Sequence, residues 1–174
     1  NFMQNPMANQ DTLKMIEQMS TGGDYKFTKA ARNLWTPGES ITVSFSGGTS
    51  AMIDSAKKYI MQDIQPYVSM KYSFVASGGR ISVAFVSLTG SGGSSAIGKT
   101  GGSSQQVQLS TNSFKDSGTF NWARYLTVHE FGHSLGLYHE LDSCGGNVTG
   151  TAADPYSVMN YPAGSSGGAG KARP

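Results

Sequence analysis

The stretch His129-Glu130-Phe131-Gly132-His133-Ser134-Leu135-Gly136-Leu137-Tyr138-His139 holds all 3 histidines of the chain. On a helix, residues four apart project from one face one turn apart, so His129 and His133 can present two imidazoles to one metal ion. Glu130, beside the first of them, can reach a metal-activated water without ligating the metal. Gly136 can take a positive φ and stop the helix, which turns the chain and brings His139 in as a third ligand. Three neutral nitrogen ligands leave a position open, as in catalytic zinc sites, whereas structural zinc sites are closed by four ligands. Zinc lowers the pKa of a coordinated water to about 7, so a neighbouring carboxylate can take its proton at neutral pH. The pattern points to one Zn2+ on His129, His133 and His139, with Glu130 as general base. Ordinary helix histidines at this spacing would explain neither the glutamate nor the glycine.

This run resembles the long zinc motif of the metzincin zinc endopeptidases. Their second mark, a methionine-containing turn beneath the metal, is matched by Ser157-Val158-Met159-Asn160-Tyr161. The resemblance implies that Met159 is a soft apolar floor under the imidazoles and not a ligand. Within the metzincins the chain is most similar to the astacins, with the serralysins next. Tyr161 stands where both place a tyrosine that binds the metal at rest and then swings to stabilise the oxyanion. Glu140 corresponds to the astacin glutamate that receives the mature N-terminus. Ser95 to Gly102 followed by Gln105 to Leu109 is similar to the astacin loop and edge strand, and Trp35-Thr36-Pro37-Gly38 to the opening of such a domain. The likeness runs over about residues 33 to 162. It departs from the astacin pattern in having one cysteine, which can make no internal disulfide, and a short segment between His139 and Met159.

The resemblance implies an α+β metzincin fold: a twisted, mostly parallel sheet with an antiparallel edge strand, two main helices and a small irregular C-terminal subdomain. It implies a protein or peptide substrate lying extended along an edge strand at Val107, Gln108 and Leu109, and a monomer working outside the cell. Two residues could regulate the site. Asp24, in Gly22-Gly23-Asp24, is similar to the aspartate with which an astacin pro-segment blocks the zinc, although turn chemistry also suits it. Cys144 lies close after His139 and its thiolate is a good zinc ligand, although a small buried cysteine is the plainer reading. A latent zymogen, and a zinc-dependent binding or structural module without peptidase activity, therefore stand beside the active endopeptidase.

The zinc motif needs a helix and a scaffold beneath it. Trp122, Tyr125, Leu126, Val128 and Leu135 predict a long helix from Phe120 to Leu137, closed by Gly136. Ile53, Ala56, Ile60 and Ile64 predict an amphipathic helix capped by Thr49 or Ser50 and ended by Pro66. Ser40 to Phe45 alternates as a half-buried strand, and Gln106 to Ser110 as another. Tyr72–Ala76 and Ile81–Val86 read as two strands joined by Ser77-Gly78-Gly79-Arg80, a candidate hairpin. Residues 89–104, mostly Gly and Ser, read as a surface loop. A short helix is expected over Asp11 to Met19. The domains divide as 1–30, a possible pro-segment; 31–163, the catalytic domain; and 164–174, a flexible tail.

The 174 residues suffice for one domain with its own core. Charged residues are only 14% and the net charge of +2 is spread along the chain, which argues against nucleic acid as partner. No apolar run approaches the roughly 20 residues of a membrane span. The chain starts at Asn1 without a charged-then-apolar leader, so an exported form has already lost its signal peptide. Gly93-Ser94-Ser95-Ala96-Ile97-Gly98-Lys99-Thr100 matches the letters of a phosphate-binding loop. Such a loop must run directly into a helix whose N-terminal N–H groups face the phosphates. Gly101-Gly102-Ser103-Ser104 starts no helix, so no nucleotide is expected.

Overall fold

The computed structural model describes residues 33–90, 92–115, 120–139 and 158–159. Asp24, Glu140, Cys144 and Tyr161 lie outside these residues. So do the expected helix over Asp11 to Met19, the tail and nearly all of the expected C-terminal subdomain.

Among the described residues, five strands make one mixed sheet: β1 (Ser40–Ser46), β2 (Lys71–Phe74), β3 (Ile81–Val86), β4 (Gly93–Ser95) and β5 (Gln105–Ser110). Their order is β2-β1-β3-β5-β4, with every pairing parallel except β4 with β5. With helices α1 (Ser50–Asp63) and α2 (Trp122–Leu135) the architecture is α+β, as the motifs imply.

Each helix begins where the side-chain chemistry says it should. The Thr49 hydroxyl accepts from the Met52 N–H at 3.3 Å, and the Asn121 side chain accepts from the Arg124 N–H at 2.9 Å. Residues 65–67 follow α1 as a single 3₁₀ turn carrying Pro66. Between helices and sheet, Ile41, Val43, Ile60, Ile81, Val83, Val107, Leu109 and Phe131 are fully buried, and they are the alternating or helix-period positions of their elements. α2 is buried over nearly its whole length. A helix so covered carries its histidines on a rigid base.

The hairpin expected from residues 72–86 does not form. β2 pairs with β1 up to Val43↔Phe74, and β3 pairs with the other side of β1 from Val43↔Ile81 onward. The chain leaves β2 level with Val43, steps across β1 and resumes in the same direction, so no reversal is needed. The crossing is bonded to β1 itself: the Gly79 N–H donates to Ser44 Oγ at 3.1 Å and the Arg80 N–H to Thr42 Oγ1 at 2.9 Å. The Ser77-Gly78-Gly79-Arg80 cluster serves close passage over a strand, not a turn between two.

A second correction concerns the sheet edge. Val107, Gln108 and Leu109 lie in β5, which is hydrogen-bonded on both sides, to β3 and to β4. The edge strand is β4, from within the stretch read as a surface loop. Gly and Ser give no alternation to read, and main-chain bonding to β5 makes the strand, with Ser94 Oγ also donating to Gln108 Oε1 at 3.2 Å.

α1 and α2 are tied by Arg124, whose Nε donates to Asp63 Oδ2 at 2.8 Å while Nη2 bonds Oδ1. The two side chains are 24% and 10% exposed, so removing one leaves its partner's charge largely desolvated. Asp63→Ala is expected to cost about 3 kcal/mol, the low end for a broken buried pair, read as a lowered midpoint in urea unfolding of the metal-free protein.

Candidate metal centre

The three histidines of the motif converge. Their ligand atoms all lie within 4.8 Å of one another. His139 Nε2 stands 3.1 Å from His129 Nε2 and 3.0 Å from His133 Nε2. Nitrogens at 2.0–2.1 Å from a common ion in tetrahedral geometry stand about 3.3 Å apart, so the spacing fits zinc.

Two backbone carbonyls decide which nitrogen of each helix imidazole faces that point. His129 Nδ1 is 2.7 Å from the Val158 carbonyl oxygen, and His133 Nδ1 is 2.7 Å from that of Leu137. A carbonyl oxygen can only accept, so both Nδ1 atoms carry the proton and both Nε2 atoms are left with bare lone pairs. These carbonyls are the outer partners that orient and polarise metal-bound histidines. Burial pushes His129 down to about 3, which keeps it neutral at physiological pH. The donor set, neutral imidazole nitrogens on a buried helix, suits zinc.

The third ligand depends on one backbone conformation. Gly136 sits at φ 107°, a left-handed value that a side chain disfavours, and its N–H closes the helix on Gly132 and His133 carbonyls. The Leu137 N–H then returns to the Gly132 carbonyl at 3.0 Å. The same turn thereby presents the Leu137 carbonyl to His133 and leads the chain on to His139.

Glu130 is 4% exposed, and its Oε2 is buried without a hydrogen-bond partner. Burial pushes its carboxyl up to about 8, and a divalent cation at the imidazoles would oppose that shift by stabilising the carboxylate. The carboxyl lies against the backbone of the edge strand. A Cβ on Gly93 would stand 2.8 Å from Glu130 Oε1 and 2.5 Å from the Gln108 carbonyl oxygen, so only glycine leaves room there. Sequence reasoning missed Gly93, and the one signal was a glycine pair within a serine-rich run.

Met159 is 3% exposed, and the spot a Cβ on Gly132 would occupy is 2.5 Å from its sulfur. It therefore packs against the zinc helix itself, while its neighbour Val158 holds His129. The segment that looked like a phosphate loop also serves this helix. The Gly98 N–H donates to the His133 carbonyl at 2.8 Å. Lys99 reaches Glu39 at 2.7 Å and lies over Trp35, and Lys99 together with the Thr36 N–H holds the Glu39 carboxyl below its ordinary value. Trp35 Nε1 in turn donates to the Ser134 carbonyl at 2.7 Å.

Of the residues singled out in the sequence, the structure thus brings together His129, His133, His139, Glu130 and Met159. Val107, Gln108 and Leu109 lie one strand in from the edge. No helix among the described residues is long and apolar enough to cross a membrane.

The chain matches the family model for Astacin, a peptidase family, over residues 27–143. Among solved structures it is similar to myroilysin in two determinations. One is 29% identical with a TM-score of 0.52, covering 62% of this chain and 52% of that one. The other is 27% identical with a TM-score of 0.52, covering 70% and 54%. High choriolytic enzyme 1, a hatching enzyme zinc-protease from the medaka fish Oryzias latipes, is 22% identical with a TM-score of 0.43, covering 68% and 55%. The chain spans about half the length of these structures. No curated protein matches it.

Proposed function

The chain belongs to the astacin family of peptidases, and from that premise we propose that it is a zinc-dependent endopeptidase in which Glu130 is the general base. The observation that carries the reading is the convergence of three imidazole nitrogens beside a buried carboxyl that is not one of them.

His129, His133 and His139 would hold the metal through Nε2. Zinc, when bound, supplies a Lewis acid that polarises the scissile carbonyl and acidifies a water. Glu130 takes the proton of the attacking water and hands it to the leaving amine, as a carboxylate beside the metal and within the buried site can. Tyr161 donates a hydrogen bond to the oxyanion. The peptide adds as a further strand beside β4, where Gly93 sets Glu130 next to the edge, and main-chain hydrogen bonds provide its alignment. Secretion, latency imposed by residues 1–30 through Asp24 or by Cys144, and Glu140 as the partner of a trimmed N-terminus belong to the same reading and rest on family membership.

The test measures zinc content and casein cleavage together, before and after a chelator and after zinc is restored, on the whole chain and on a form trimmed to about Ala30. One zinc per chain is expected, with cleavage lost on chelation and regained with zinc, and faster cleavage by the trimmed form if the N-terminal segment is inhibitory. Zinc-loaded protein that cleaves nothing in either form would sink the peptidase reading.

A further inference from the structure

The first imidazole has a second neighbour on its own helix. Tyr125, one turn before His129, is 8% exposed and its hydroxyl oxygen stands 3.3 Å from His129 Nδ1. Its ring lies along the imidazole, with centroids 5.4 Å apart and planes inclined by 34°. Trp122 meets Tyr125 edge-on at 6.0 Å, and Phe120 meets Trp122 at 4.6 Å and Tyr125 at 5.7 Å. An aromatic column therefore runs from the start of α2 to the first imidazole of the site.

We propose that Tyr125 is a positioning residue for His129, its ring bracing the imidazole and its hydroxyl oxygen acting as a second acceptor for the Nδ1 proton. This rests on His129 being a zinc ligand and not on peptidase activity. The Val158 carbonyl at 2.7 Å takes the larger share of that proton, and the phenol oxygen at 3.3 Å takes a weaker, three-centre share. Together they lock the ring about both its tilt and its tautomer, so that Nε2 is aimed before the metal arrives. Outer partners of this kind are worth about 10–100-fold in metal affinity. The hydroxyl alone, as the weaker acceptor, accounts for the smaller part, and the ring, which also keeps water from the Nδ1–H, for the larger.

Tyr125→Phe and Tyr125→Leu separate the two. The readouts are zinc affinity by competition with a chelator, and exchange of the His129 Nδ1–H proton followed by NMR in the zinc-loaded protein. Tyr125→Phe is expected to bind zinc about 3-fold more weakly and Tyr125→Leu about 10–100-fold more weakly, with Nδ1–H exchange accelerated in both. A fall for Leu with no change for Phe upholds the ring and overturns the hydroxyl's share. Affinity and exchange equal to the parent in both variants overturn the proposal, and should Tyr125→Leu fail to fold, unchanged exchange in Tyr125→Phe overturns the hydroxyl contact. Zinc binding by the parent without casein cleavage would end the peptidase reading and leave these affinities to decide the role of Tyr125.

Discussion

Glu130→Gln is expected to lower kcat/KM for casein by about 10²–10⁴-fold, the usual worth of a positioned general base, while the zinc content stays at that of the parent. Glutamine keeps the shape of the side chain and can still sit against Gly93, but its amide has no basic oxygen to take a proton from water at neutral pH. The carboxyl is not among the converging nitrogens, so the metal should load as before. Stability should not suffer either. Oε2 is buried without a partner and burial pushes the carboxyl up to about 8, so the site bears the cost of a desolvated ionisable group that an amide avoids. A thermal melt of the metal-free protein at or above that of the metal-free parent, together with lost cleavage and full zinc in the loaded protein, is the expected triple result. Equal cleavage by the two proteins would remove Glu130 from the mechanism.

Phe131→Ala is expected to destabilise the domain by about 3–5 kcal/mol, the range for deleting a fully buried aromatic ring. The ring is 0% exposed and meets Tyr72 of β2 edge-on at 5.9 Å. It sits in the zinc motif between Glu130 and His133, so the residue that anchors α2 in the core is flanked by those that form the site. Against a total stability of about 5–15 kcal/mol, the loss is large enough to see as a shifted urea midpoint in the metal-free protein. Zinc should return part of it, since a ligand held only by the folded state adds about 2.7 kcal/mol at a hundredfold excess over its Kd. The urea midpoint of Phe131→Ala with and without zinc measures both effects.

Much of the site was legible because it is local. His129, Glu130, His133 and Gly136 fall within one helix and its C-cap, with His139 three residues beyond, so spacing in sequence translates directly into a shared face and a defined stop. α1 was legible for the same reason, with Thr49 as its cap and Ala56 and Ile60 buried on one side. Strand pairing was not. Residues 72–86 suit a hairpin and a step across a third strand equally well, and the deciding partner is β1, far earlier in the chain. Gln106 and Gln108 alternate with Val107 and Leu109 as an edge strand would, yet β4 covers that side with residues carrying almost no side chain. Tyr125 stood at the right interval before His129, but an aromatic at that interval reads first as core. The carbonyls of Val158 and Leu137 are backbone atoms and carry no signal in residue type.

The step of the chain across β1 at Val43 also bears on how the protein reaches its native state. β1 takes parallel partners on both sides, Val43 with Phe74 and with Ile81, and β3 then takes β5 through Ile81 and Gln105. None of these contacts forms without closing a loop first, and loop-closure entropy must be met before the pairing rewards it. Folding is therefore governed by non-local search and belongs to the slow end for a domain of this size. Zinc would join His129, His133 and His139, all within residues 129–139, so its binding shortens none of these loops. Its kinetic effect is therefore expected on the unfolding rate, read as slower unfolding in denaturant by the loaded protein with the folding rate unchanged.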